Sequence, residues 1–188
     1  DWTYGTIYAL HQHATGASYR LEKEEFVTGA PLPLTDGVVS PDGNFYFAVG
    51  GRGTPSAVYR VRYVGKEPTD PAPSEPGKFA GIRALRKSIE KYHREDPEAV
   101  EAVWPHLGHK DRFIRYAARV ALEHQPIASW IDRETDGLEA ELSKLLAVAR
   151  QGAPEHAEMV VSGIKDLWEQ GLNTDQMLAA LRTANISM

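Results

Sequence analysis

The sequence predicts a segregated α+β chain, with an N-terminal antiparallel β-sheet followed by a C-terminal α-helical repeat. Three observations predict it. Residues 31–50, PLPLTDGVVSPDGNFYFAVG, read as a strand, a tight Asp-Gly turn and a second strand. After Phe79 the apolar period changes from about two residues to about 3.6. Between the two halves lies EPTDPAPSEPGK, residues 67–78, whose four prolines deny it both helix and ladder donors. The expected organisation is a β part over residues 1–66, a linker over 67–78 and a helical part over 79–188.

In the β part, Thr3–His13 is rich in Thr, Tyr, Ile and Leu, and Gly16-Ala17-Ser18 punctuates it. Tyr19–Val27 continues as a strand until Thr28-Gly29 and the Pro31/Pro33 pair end it. Val38-Val39 is a short apolar strand. In Pro41-Asp42-Gly43-Asn44, proline presets φ while Asp and Gly tolerate the reversal. Phe45–Val49 follows, closed by Gly50-Gly51. In Ser56–Val64, Ala57, Tyr59, Val61 and Tyr63 share one face while Arg60 and Arg62 share the other. About four strands at this spacing make one β-propeller blade. One blade alone leaves faces and edges in water, so this pattern predicts that more sheet lies elsewhere.

In the helical part, Ile82, Leu85, Ile89 and Tyr92 fall on one face. Asp96-Pro97 starts the next helix, whose stripe is Val100, Val103, Trp104 and Leu107. Gly108 ends it and Asp111 caps its successor. Ile114, Ala117, Ala118, Ala121 and Leu122 form a narrow face suited to close helix contact, and Pro126 terminates that helix. Leu138, Leu142, Leu145, Leu146 and Ala149 continue the series. Pro154 opens a helix carrying Val160, Val161, Ile164, Leu167 and Trp168, with Gly171 past its end. Asn173 with Gln176 has capping-box spacing for the last helix. Two helix pairs, 97–107 with 111–124 and 138–151 with 154–170, repeat at about the 43 residues of HEAT or armadillo units. A plain helical bundle has the same periodicity.

Composition narrows the function classes. Of 188 residues, 42% are hydrophobic, enough for a core. The net charge of −5 argues against a general nucleic-acid surface. There is no cysteine, which removes disulfides, thiolate zinc sites, cysteine nucleophiles and CxxCH haem attachment from this chain. No apolar run reaches the roughly 18 residues of a membrane-spanning helix, so no membrane insertion by this segment is expected. No signal peptide is evident, and the start at Asp1 reads as a processed, trimmed or excised chain.

Several residues invite chemistry. His11 and His13, two apart on a strand, point to one face and form a pair of candidate metal ligands, but no third ligand accompanies them. His106 and His109 flank the turn of the first helix pair, where a metal or an acidic partner is one reading and solvated turn residues the simpler one. Trp104 and Trp168 lie on apolar stripes and read as core. Gly50-Gly51-Arg52-Gly53 opens no helix, so it does not read as a phosphate cradle. No P-loop, HExxH or nucleophile elbow is present, and no catalytic residue is assigned.

The order of segments adds a resemblance. DWTYGTIYAL, YRLEKEEFVTGAPLPLTD, PDGNFYFAVGGR and YRVRYVG, followed by RALRKSIEKYH and WPHLGHKDRFIRYAARVALEHQPIASW, resemble the large bacterial membrane-bound dehydrogenases. The resemblance covers about residues 1–131. Their propeller is similar to that of the sorbosone and soluble glucose dehydrogenases, HEAT repeats follow it, and many members end in a c-type cytochrome domain. It implies that DRFIRYAARVALEH is the second helix of a HEAT unit, where Asp and Arg bridge neighbouring repeats. It implies a parent that uses pyrroloquinoline quinone with calcium, and c-type haem, to oxidise a sugar or polyol in the periplasm. A complete site needs many blades, so no cofactor site is expected within this chain. Asp36 in LTD and Arg52 in GGR are the candidates for channel-mouth, cofactor-binding residues; the alternative is that both tie the blade together by hydrogen-bonding turn backbone.

Three readings of function follow. The first is a propeller-to-HEAT junction of a dehydrogenase, structural and docking in role, partnered by the rest of the parent or by another protein. The second is a non-enzymatic protein–protein interaction scaffold. In the third, the β part is a small independent sheet that makes a two-layer α+β unit with the helices.

Overall fold

The computed structural model describes residues 1–51, 53–70 and 77–187. Among these, five strands form two small antiparallel sheets, and six α-helices follow. The chain divides into two compact units. One comprises Asp1–His13 with Tyr19–Glu75, the other Ala14–Ser18 with Pro76–Met188. Of the expected linker, residues 71–76 lie outside the described residues.

In the first unit, β1 (Thr6–Thr15) pairs with β2 (Ser18–Thr28) as a hairpin. A second sheet has the order β3 (Leu34–Val39), β4 (Phe45–Gly51), β5 (Thr54–Val61). The sequence suggested about four strands in one sheet; the structure has five in two. The break falls at the segment holding Pro31 and Pro33, since proline has no N–H to continue a ladder. There Gly29 N–H turns back to Gly5 O at 3.0 Å, and Gly50 N–H reaches Pro33 O at 3.0 Å.

The β3–β4 turn forms as its residues dictate. Asp42 accepts from Asn44 N–H at 3.0 Å and from the Tyr46 hydroxyl at 3.0 Å. Hydrogen bonding to Asn44 holds the Asp42 carboxyl below its ordinary pKa. Pairing sets Phe47 opposite Gly37 on one side and Tyr59 on the other. Phe47 is 4% exposed and stacks on Tyr59 at 5.1 Å and Phe45 at 6.0 Å, while Phe26 of β2 meets Phe45 edge-on at 6.2 Å. Phe47 and Val49 are the buried large hydrophobic side chains described in this unit.

The second unit holds a larger core. Its helices are α1 (Ala80–Glu90), α2 (Ala99–Val103), α3 (Arg112–Glu123), α4 (Leu138–Gln151), α5 (Ala157–Glu169) and α6 (Thr174–Ser187). α3 packs on α1, α2 and α4; α4 packs also on α5 and α6, which pack on each other. Ala117, Ala118 and Ala121 are fully buried, and their small side chains permit that close approach. Asn173 and Gln176 exchange reciprocal 3.0 Å hydrogen bonds at the start of α6, the capping box their spacing predicts. Buried Gln125 accepts from Asp96 N–H and donates to Arg94 O and Ala121 O, pinning the α1–α2 connection to the end of α3. Trp130, outside any predicted helix, is the largest fully buried side chain. It follows Pro126 and a short 3-10 turn, Ile127–Ser129, so no periodic stripe announces it. Trp104 packs partly buried against this core, whereas Trp168, in the last turn of α5, is exposed.

Candidate functional site

One surface feature is a groove of about 620 Å³ in the helical unit, between α3, α4 and α6. α3 supplies Arg112, Arg115 and Arg119 to it, at the three- and four-residue spacing that keeps side chains on one helical face. α4 adds Arg150 and α6 adds Arg182. Glu123 serves two of these cations, accepting from Arg119 and, at 3.0 Å, from Arg150. Glu139 of α4 pairs with Arg115 at 3.3 Å and accepts from Gln176 at 3.0 Å. Among the described residues, Arg112 and Arg182 have no carboxylate within ion-pair distance. Arg119 is buried, and burial together with the charges of Arg150 and Arg182 brings its guanidinium down to about 10, so it stays cationic at neutral pH. Apolar groups share the groove: Phe113, Tyr116 at 59% exposure and Leu178 at 61%. A groove with surplus guanidinium and exposed aromatic surface suits binding by charge-assisted hydrogen bonds and packing.

A second polar node sits at the start of α3. Asp111 accepts from Phe113 N–H at 2.9 Å as the helix cap, and from Ala17 N–H at 2.8 Å. Ala17 is fully buried within the helical unit. Asp111 N–H donates to His109 Nδ1 at 3.0 Å, and Arg115 donates to His109 O at 2.6 Å. His106 stands edge-on to His109 at 6.4 Å; burial, then the neighbouring His109, lowers the His106 pKa. Asp111 and His109 are spent on shaping the turn, which is a structural role.

The sheet β3–β4–β5 is the third feature. Alternation along its strands places Val39, Phe47 and Tyr59 on one face and Val38, Tyr46 and Val58 on the other. Val39 is 69% exposed, Val38 62% and Val58 74%. The first face is largely covered, with Phe47 and Val49 buried, whereas the second leaves Val38 and Val58 exposed beside Asp36 and Arg60; β3 and β5 are both edges among the described residues.

The residues singled out from sequence fall as follows. His11 and His13 lie on the exposed face of β1 and bond the cross-strand carboxylates of Glu24 at 2.6 Å and Glu22 at 3.1 Å. Among the described residues, no three His, Cys, Asp or Glu side chains converge to hold a metal ion. Asp36 is exposed at an irregularity in the β3–β4 ladder, where it accepts from Gly37 N–H at 2.7 Å. Arg52 lies outside the described residues. No helix among the described residues is long and apolar enough to cross a membrane. With no cysteine in the sequence, no haem is attached through thioether bonds to this chain.

Sequence reasoning missed the arginine groove. Its arginines lie on three helices up to seventy residues apart, and each alone reads as solvated surface. The one legible part was the 112/115/119 spacing on α3. Comparison with known proteins found no matching family model, no matching curated protein and no matching solved structure.

Proposed function

We propose that this chain is a structural junction and docking segment of a large periplasmic redox protein of the membrane-bound dehydrogenase type. In this reading a blade-like β unit leads into HEAT-like helices, and the chain holds no complete active site. The observation that carries it is the β3–β4–β5 sheet, whose Phe47 and Val49 side is already packed while its other side leaves Val38 and Val58 exposed beside Asp36 and Arg60. A propeller blade packs against a neighbour on each face, and exposed Val38 and Val58 on the second face of this sheet would meet such a neighbour. The Arg115–Glu139 pair joining α3 to α4 supports the helical half of the reading, because the resemblance implies an Arg that bridges repeats. Quinone, calcium, haem and the sugar- or polyol-oxidising chemistry belong to other parts of the protein.

The test is a visible spectrum, oxidised and dithionite-reduced, of the longest natural protein containing this sequence, with an assay of quinone-dependent dye reduction. The reading expects the sharp reduced bands of c-type haem and dye reduction by the whole protein, with neither from this chain alone. A whole protein lacking both contradicts it. The arginine groove favours a second reading, an interaction scaffold without redox role. A colourless whole protein that still binds a partner through the helical unit would select it.

A further inference from the structure

We infer that the groove between α3, α4 and α6 is a docking site for an acidic amphipathic peptide segment of a partner protein. The inference rests on the helical unit alone, so it stands or falls separately from the dehydrogenase reading.

The argument begins with charge. The chain as a whole carries −5, yet five guanidinium groups line this one groove against Glu139 and Asp175, with Glu123 shared beneath. Internal pairing uses Arg115, Arg119 and Arg150. Arg182 on α6 remains for a ligand, and so does the charge of Arg112 on α3, whose guanidinium lies over the Phe113 ring at 5.2 Å without a carboxylate partner among the described residues. Holding like charges together costs free energy, and an anion entering the groove relieves that repulsion; burial first, then the charges of Arg150 and Arg182, lower the Arg119 pKa. Guanidinium forks bind carboxylates in bidentate fashion, so carboxylates on the partner are the complementary groups.

The remaining lining chooses the class of anion. Phe113, Tyr116 and Leu178 offer exposed apolar surface beside the cations, and a phosphate or a bare polyanion leaves that surface unused. A peptide alternating carboxylates with apolar side chains uses both, as amphipathic segments do in helical grooves. A long nucleic acid is disfavoured because the net negative charge of the chain repels it beyond the groove.

The experiment titrates the chain with a synthetic amphipathic peptide of Glu and Leu, followed by amide chemical shifts. Three probes serve as controls: the same peptide with Lys for Glu, a poly-glutamate of equal charge, and a single-stranded oligonucleotide of equal charge. Saturable binding of the Glu/Leu peptide is expected, tighter than any control, with shifts at Tyr116, Gln176 and Leu178. Arg182→Glu should weaken it by about tenfold or more, as loss and reversal of one charge-assisted contact implies. Arg182 is exposed and, among the described residues, forms no ion pair, so the variant should keep its helical signal and melting temperature; Arg112→Glu provides an independent second variant. No binding at millimolar peptide, equal binding of the Lys peptide, an undiminished affinity in both folded variants, or tighter binding of poly-glutamate or the oligonucleotide would each overturn the inference.

Discussion

Asp111 and Ala17, ninety-four residues apart in sequence, are joined by a 2.8 Å hydrogen bond from the buried Ala17 N–H to the Asp111 carboxylate. The other carboxylate oxygen caps α3 through Phe113 N–H. One side chain therefore answers a local need, the unpaired donors at a helix start, and a distant one, a buried amide in a tight turn.

Replacing Asp111 by Ala removes both. Loss of the cap costs about 1 kcal/mol, and leaving a buried N–H unpaired costs about 1–3 kcal/mol. Asp111→Ala should therefore lower stability by about 2–4 kcal/mol. Urea unfolding followed by helical ellipticity measures it, and a loss below about 1 kcal/mol would mean the Ala17 contact contributes nothing.

The same carboxylate makes stability depend on acidity. Burial raises the Asp111 pKa, but the amides of Ala17, Phe113 and Ile114 and the charge of His109 outweigh it, leaving it below 3.8. A folded pKa below the unfolded one gives stabilisation that is complete above about pH 5 and is lost as pH falls through the folded value. Wild-type stability should thus fall more steeply than that of Asp111→Asn as pH drops from about 5 to 2. Parallel acid limbs in the two proteins would remove Asp111 from that role.

Gly16 sits at φ +56°, and a Cβ there would lie 2.3 Å from the Asp111 carboxylate oxygen. Gly16→Ala therefore strains the turn and crowds the Ala17–Asp111 bond. A loss of about 1–3 kcal/mol is expected. Combined with Asp111→Ala, the two effects should sum to less than their separate values, because both act on one contact.

Buried Gln125 is a second hub, with Asp96 N–H, Arg94 O and Ala121 O as partners. Gln125→Leu keeps the volume and strands those groups. The expected cost is about 2–4 kcal/mol. Faster amide exchange at Asp96 would locate the damage, and an unchanged rate there would contradict the assignment.

Local chemistry made parts of this architecture legible. The Asp111 cap, the Asn173–Gln176 box and the shared face of Ala57, Tyr59 and Val61 each follow from residues a few positions apart. The rest depends on contacts that no short window contains. Ala17 looks like a turn residue, and only folding reveals that it is buried beside Asp111. Trp130 lies in an aperiodic stretch, so burial had no stripe to mark it. Arg182 acquires meaning only where α6 brings it beside α3 and α4. The five-strand, two-sheet division was hidden because Thr28–Pro33 reads as a turn whether its flanking strands pair or not.

The central claim is that the exposed Val38 and Val58 face of the β3–β4–β5 sheet is covered in its natural setting, making the sheet an inner layer. Because the chain has no cysteine, Val58→Cys introduces a unique thiol on one face of that sheet, at a position 74% exposed. Its maleimide labelling rate should be compared in this chain alone and in the longest natural protein containing it. The account predicts rapid labelling in the isolated chain and a shielded thiol in the whole protein. Equal, rapid labelling in both would show that nothing covers the sheet and would contradict the account.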